Sequence, residues 1–242
     1  MRRNIWTALL AGMMAMSMAA LPAYAAETEA AAEAAEAETE AGTEADGFDF
    51  EGKTCYTLEA EQTYLEGKFG SGYSGSTTGT GMVIGDDTDS KSASNGYYVG
   101  WLYYNGAYLS FEFDAAEDID DLAIVFRLSA QYNSIDVTGD EVYVGINYDE
   151  EAGEYEQTID FPFAIESYSE MSSQVKDFRD FLVAENVSVK KGHNAIELYI
   201  NNDIKGVGGT MKAAAPLVDC LYLYTDGELT PITYNKQFGG EQ

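Results

Sequence analysis

Cys55-Tyr56-Thr57-Leu58-Glu59-Ala60-Glu61 is the stretch on which the fold turns. Its alternation predicts an extended strand, with Leu58 and Ala60 on one face and Thr57, Glu59 and Glu61 on the other. Two carboxylates then project the same way, about 6.6–7 Å apart along the strand. Like charges so placed repel unless a cation or an arginine lies between them. A third carboxylate stands in an apolar run near the other end of the chain, Pro216-Leu217-Val218-Asp219-Cys220-Leu221-Tyr222-Leu223. The expectation is that the first and last strands pair, and that Glu59, Glu61 and Asp219 share one calcium ion.

Between these two runs, short alternating segments follow one another, separated by Gly, Asn and Asp. The strands expected are Thr54–Glu61, Gly81–Ile84, Tyr97–Leu102, Tyr108–Phe113, Leu122–Leu128, Val142–Ile146, Tyr155–Phe161, Phe181–Val189, Ala195–Ile200 and Leu217–Tyr224. Asn105-Gly106 reads as a tight turn. Ile165, Tyr168, Met171, Val175 and Phe178 recur at three- and four-residue steps, which predicts a short helix or an irregular crossover. About ten short strands with turns between them predict an all-β chain, a β-sandwich jelly roll, rather than alternating β-α units.

The chain of 242 residues has a formal net charge of −29. With only 13 basic residues, nucleic acid and anionic membrane surfaces are poor partners. Met1-Arg2-Arg3-Asn4, the apolar run Ile5 to Leu21, and Ala23-Tyr24-Ala25 predict a secretory signal peptide cleaved after Ala25, and hence export with no membrane insertion. Residues 26–50 are rich in Ala, Glu and Thr and read as an acidic, disordered linker that cannot bury a core. Residues 51–226 form the expected sandwich, and residues 227–242 a loose polar tail. Of 42 acids and 13 bases, eight acids lie between Glu27 and Asp46 and two bases in the leader, which leaves 34 against 11 in the rest of the chain. Its length suits one domain around one core.

The order of these pieces resembles the calcium-binding β-sandwich carbohydrate-binding modules of families six and thirty-five, of the galactose-binding-like fold. The resemblance is carried by Leu58-Glu59-Ala60-Glu61; by Tyr98-Val99-Gly100-Trp101-Leu102, a turn and Tyr108-Leu109-Ser110-Phe111; by Lys191-Gly192-His193-Asn194-Ala195-Ile196; and by Leu217-Val218-Asp219. It implies a secreted, non-catalytic glycan-binding module with a structural calcium at Glu59, Glu61 and Asp219. It also implies that Trp101 takes the place of an aromatic sugar platform near the loop ends. Leu217 stands where family six commonly has a sugar-contacting Asn, and the second aromatic of the family is missing; Phe178 and Phe181 are the only aromatics nearby.

Calcium takes six to eight oxygens, so carbonyls of the Gly67–Gly75 loop would complete a shell begun by the three carboxylates. Trp101 is the one Trp of the mature chain; its ring suits stacking under a sugar, although the alternation also allows a core position. Tyr103, Tyr104, Tyr132, Asn201 and Asn202 are further candidate ligand contacts, with Tyr73. The acidity favours a neutral polysaccharide or oligosaccharide, with separate glycan-degrading or cell-surface proteins as partners. Asp86-Asp87-Thr88-Asp89 lacks the spacing of an EF-hand and reads as a solvated loop, and His193 as an exposed turn residue. Strand parity sets Cys55 and Cys220 on opposite faces, which argues against a disulfide. Two other functions fit an all-β secreted chain: a small β-jelly-roll glycan hydrolase or lyase, and a surface adhesion or assembly protein that has lost its sugar site.

Overall fold

Alternation of β-branched and aromatic residues with polar ones builds strands over most of the described residues. The computed structural model describes residues 44–45, 48, 50–65, 82–85, 93–102, 105–130, 133–167, 177–202 and 214–234. All of them belong to one unit, Thr39–Gln242. The leader, most of the linker, the Gly67–Gly75 loop, Asp86–Asp89, Tyr103, Tyr104 and Tyr132 lie outside the described residues.

Fourteen strands are described: β1 (Glu44–Ala45), β2 (Thr54–Glu59), β3 (Met82–Gly85), β4 (Tyr97–Gly100), β5 (Tyr108–Ala115), β6 (Ile119–Ser129), β7 (Ile135–Val137), β8 (Val142–Asp149), β9 (Glu154–Asp160), β10 (Phe163–Ile165), β11 (Arg179–Val189), β12 (Gly192–Ile200), β13 (Leu217–Thr225) and β14 (Leu229–Pro231). One sheet has the order β1-β11-β6-β13-β4-β3, with β2 also pairing β13; a second has the order β14-β5-β12-β8-β9; β10 and β7 form a small third. Every described pairing is antiparallel. The fold is a β-sandwich jelly roll, as the spacing of short strands predicted.

The inner faces of the two large sheets make the core. Phe111 of β5 meets Phe126 of β6 edge to face at 5.6 Å, and Phe126 meets Phe161 at 5.9 Å. In β5 the buried residues Leu109, Phe111 and Phe113 alternate with Ser110, Glu112 and Asp114, which is the period-two pattern of a half-buried strand. The middle of β6, Leu122 to Phe126, is buried on both faces, as befits a central strand flanked by β11 and β13.

Several boundaries differ from the sequence expectation, and β7 and β10 were not expected; three differences bear on the sheet edges and the site. Glu44–Ala45, inside the linker, pairs with Asp180 and Phe181 at the edge of β11. Leu229–Pro231, in the stretch read as a loose tail, pairs with β5, because Leu229 is an apolar residue with a site to fill. Strand β2 stops at Glu59, and Ala60–Gln62 forms a single 3₁₀ turn.

The two cysteines are free, as expected, but for a different reason. Cys55 is opposite Tyr224 and Cys220 opposite Glu59, so both lie on one face, four positions apart along β2. A register break at Asp219 removes the parity argument, and distance along the strand keeps both thiols free. Phe126→Ala is expected to cost about 3–5 kcal/mol, because its ring is fully buried between the sheets; urea denaturation of the purified chain measures it.

Candidate functional site

Strand β13 keeps β6 along one edge but changes partner on the other. Val218 pairs with Val99 of β4, and Cys220 with Glu59 of β2. Against β6 the register jumps between Val218, opposite Leu128, and Cys220, opposite Arg127. Asp219 is the extra residue of this bulge, and a bulge re-aims its side chain. At the same place β2 ends in Glu59, and the 3₁₀ turn carries Glu61 into full burial. Glu61 therefore does not sit on the strand beside Glu59, as alternation alone predicted; the turn brings it to the same junction by another route.

Two residues just before β4 hold the carboxylates. The Ser94 hydroxyl donates to Glu59 Oε2 at 2.7 Å and to Asp219 Oδ1 at 3.0 Å. The Ser94 backbone N–H donates to both Asp219 oxygens at 3.0 Å. The Asn95 amide donates to Glu61 Oε1. Arg127 Nε lies 2.9 Å from Asp219 Oδ2, and its Nη1 lies 2.8 Å from Asp180. Sequence reasoning missed Ser94, Asn95 and Arg127. The first two stand in a polar loop without periodicity; Arg127 ends an apolar run, where its position opposite Cys220 depends on the bulge.

Burial raises the Asp219 carboxyl to about 6, against the lowering effect of the Ser94 bonds. Burial raises Glu61 to about 8, with Glu59 and Asp219 adding repulsion, and burial also raises Glu59. With all four carboxyls ionised, counting Asp180, one guanidinium would face four negative charges. Glu61 Oε2 is buried and has no hydrogen-bond partner among the described residues. A divalent cation would answer both the charge excess and the partnerless oxygen, and the donor set is all oxygen, as hard cations require. The ligand atoms of Glu59, Asp219 and Cys220 lie within 4.8 Å of one another, a set that does not include Glu61. Burial pushes that thiol well up, so it stays neutral and leaves the junction to the oxygens.

Trp101 follows β4 at φ +68°, the left-handed region, where a bulky side chain is an outlier. It is half-buried rather than part of the core. Tyr98, Phe178, Leu217 and Ala93 form a small buried cluster separate from the main core, with the Tyr98 and Phe178 rings 5.4 Å apart. Leu217 and Phe178 are thus packed away from solvent. Asn201 is exposed, and its amide donates to the Asp140 carbonyl. Asn202 is buried: its amide donates to the Glu141 and Ala214 carbonyls, and its oxygen accepts from Ala214 N–H. The Asn202 side chain closes the base of a loop and is corrected from ligand contact to structural clasp. His193 is exposed, as read, but stands in β12, 3.4 Å from Glu112.

No family model and no curated protein matches the chain. Solved structures similar to it include a family 35 carbohydrate-binding module from Cellvibrio japonicus Abf62, at 13% identity and a TM-score of 0.43, over 74% of this chain and 97% of that one. A family 35 carbohydrate-binding module from Clostridium thermocellum has 14% identity and a TM-score of 0.41, over 70% and 97%. Xyl-CBM35, solved with a disaccharide containing glucuronic acid, has 12% identity and a TM-score of 0.36, over 62% and 96%.

Raised carboxyl values fix the sign of a pH effect. The folded chain without a cation keeps protons that the unfolded chain releases near 4.5, so its stability falls as pH rises from there to about 8. Chelator-treated protein is expected to melt at progressively lower temperature from pH 5 to pH 8, with calcium raising the melting temperature and flattening this slope. Glu61→Gln should raise the melting temperature of chelated protein at pH 8 and remove the response to calcium. Differential scanning calorimetry at matched ionic strength checks both.

Proposed function

We propose that the chain is a secreted, non-catalytic carbohydrate-binding module whose strand junction is pinned by one structural calcium ion held by Glu59, Glu61 and Asp219. One observation carries this reading: carboxylate oxygens of Glu59, at the end of β2, and Asp219, on the bulged β13, lie within 4.8 Å of each other, with Glu61 of the following turn buried at the same junction, and fully ionised the three would outnumber the one guanidinium of Arg127. The ion would supply charge neutralisation and hold the turn after β2 against β13.

Carboxyls with raised pKa values often mark an acid or base of catalysis. Here they are tied to Ser94, Asn95 and Arg127, which favours a positional role. Trp101, held in a left-handed conformation at the end of β4, offers an amphipathic ring to a sugar. The general excess of acids makes a neutral glycan a better ligand than a uronate or sulfated one. Separate glycan-degrading or cell-surface proteins are the partners such a module would serve.

The test is calorimetric titration of the full chain with neutral oligosaccharides (glucan, mannan and xylan series), with and without calcium. Trp101→Ala is expected to weaken binding about tenfold, the scale of one aromatic contact. Release of reducing sugar from any of these glycans would overturn the non-catalytic assignment. No binding to any of them would leave the adhesion or assembly role in its place.

A further inference from the structure

The outward face of the five-stranded sheet carries a groove of about 1040 Å³ that the proposed calcium and Trp101 sites do not use. A row of tyrosines crosses it. Tyr199 of β12 pairs with Tyr108 of β5 on one side and with Tyr143 of β8 on the other. The rings are nearly parallel: Tyr143 and Tyr199 lie 4.9 Å apart at 15°, and Tyr108 and Tyr199 lie 6.4 Å apart at 4°. Tyr155 of β9 stands edge-on to Tyr143 at 6.1 Å, and Tyr148 edge-on to Tyr155 at 5.1 Å. A Cβ at residue 145 would fall 2.4 Å from the Tyr155 ring, so only glycine there lets that ring lie across β8. Tyr108 and Tyr148 remain 36% and 50% exposed, so the ends of the row are open to a ligand.

The charge around this row is one-sided. Glu112, Glu150, Glu154, Glu156 and Glu197 line the groove, against Lys190 and the single histidine, His193. Lys190 lies 3.3 Å from Asp118. Glu197 accepts the Tyr155 hydroxyl at 2.6 Å. Carboxylates interleaved with phenol rings repel an anionic ligand, attract an ammonium group by charge, and offer ring faces and edges for cation–π contact.

We propose that this groove binds a glycan whose rings carry free amino groups. The choice of a sugar rests on the proposed glycan-binding function. It also has its own support: the backbone groups of β5, β12 and β8 are paired within the sheet, so a basic peptide could add a strand only at an outer edge of the sheet, such as that of β9, and not over the Tyr108–Tyr199–Tyr143 row. A sugar needs only side-chain partners, and phenols and carboxylates match its hydroxyls and ammonium groups.

The experiment is calorimetric titration of the calcium-loaded full chain with glucosamine oligomers, their N-acetylated counterparts and oligolysine. The wild type is expected to bind the free amines about tenfold more tightly than the acetylated chains, with affinity falling as salt rises. Ser110→Trp, which fills the groove, and Gly145→Ala, which displaces Tyr155, should each remove this binding without changing net charge. Circular dichroism reports whether each variant keeps its fold. Trp101→Ala should leave it unchanged. Glucosamine binding that survives both groove variants would assign the effect to bulk acidity and overturn the proposal, as would oligolysine binding of equal strength lost in the same variants. Neutral glycans bound through Trp101 with no uptake of glucosamine oligomers would overturn the groove alone and leave the proposed function standing. If neither glycan type binds, both fall.

Discussion

The structure depends on one constraint, the place where strand β13 exchanges β4 for β2 as its neighbour. A strand that changes partner leaves backbone groups in search of hydrogen bonds, and a bulge at the same point pushes an extra residue out of the ladder. Here the extra residue is Asp219. Its carboxylate accepts from the backbone and hydroxyl of Ser94 and from Arg127, and so connects β13 to the segment entering β4 and to β6. Glu59 and Glu61 close in from the end of β2. Burying three acids is unfavourable by itself, since desolvation penalises each charge. Raised proton affinity and an unmatched oxygen are the physical signs of a site that a cation would relieve.

Much of this was legible in the sequence. Period-two runs of apolar residues gave the strands, their short length and number gave the sandwich, and β2 does pair with β13. Glu59 and Asp219 were legible because each interrupts or borders an apolar run, where a carboxylate needs a partner. Glu61 was expected on the strand beside Glu59 and stands on the turn after it: alternation continues through Ala60, so nothing local announces that the strand stops at Glu59. The bulge at Asp219 is equally silent, because it arises from two different partners pulling on one strand.

The rest was hidden because it is made by register. Asn202 reads as a polar loop residue suited to a sugar; its burial follows from the return of the chain at Ala214, twelve positions later. The tyrosines are scattered from Tyr108 to Tyr199 and look like surface aromatics until pairing aligns three of them across adjacent strands. Gly145 looks like a weak point in a strand; it is a position where the backbone must let a ring pass.

The two sheets thus meet solvent in different ways. The seven-stranded sheet carries its charged group at a junction, with Tyr98 and the adjoining Phe178 packed under 4% exposure and Tyr222 and Tyr224 of β13 half-buried. The five-stranded sheet exposes a regular aromatic row between carboxylates, on strands whose inner residues are locked in the core. Rings set on paired central strands cannot drift apart, because each is fixed by backbone pairing below and by its neighbour's ring beside it. A ligand meeting that face would find its contacts already ordered, and the conformational cost of recognition would fall mainly on the ligand.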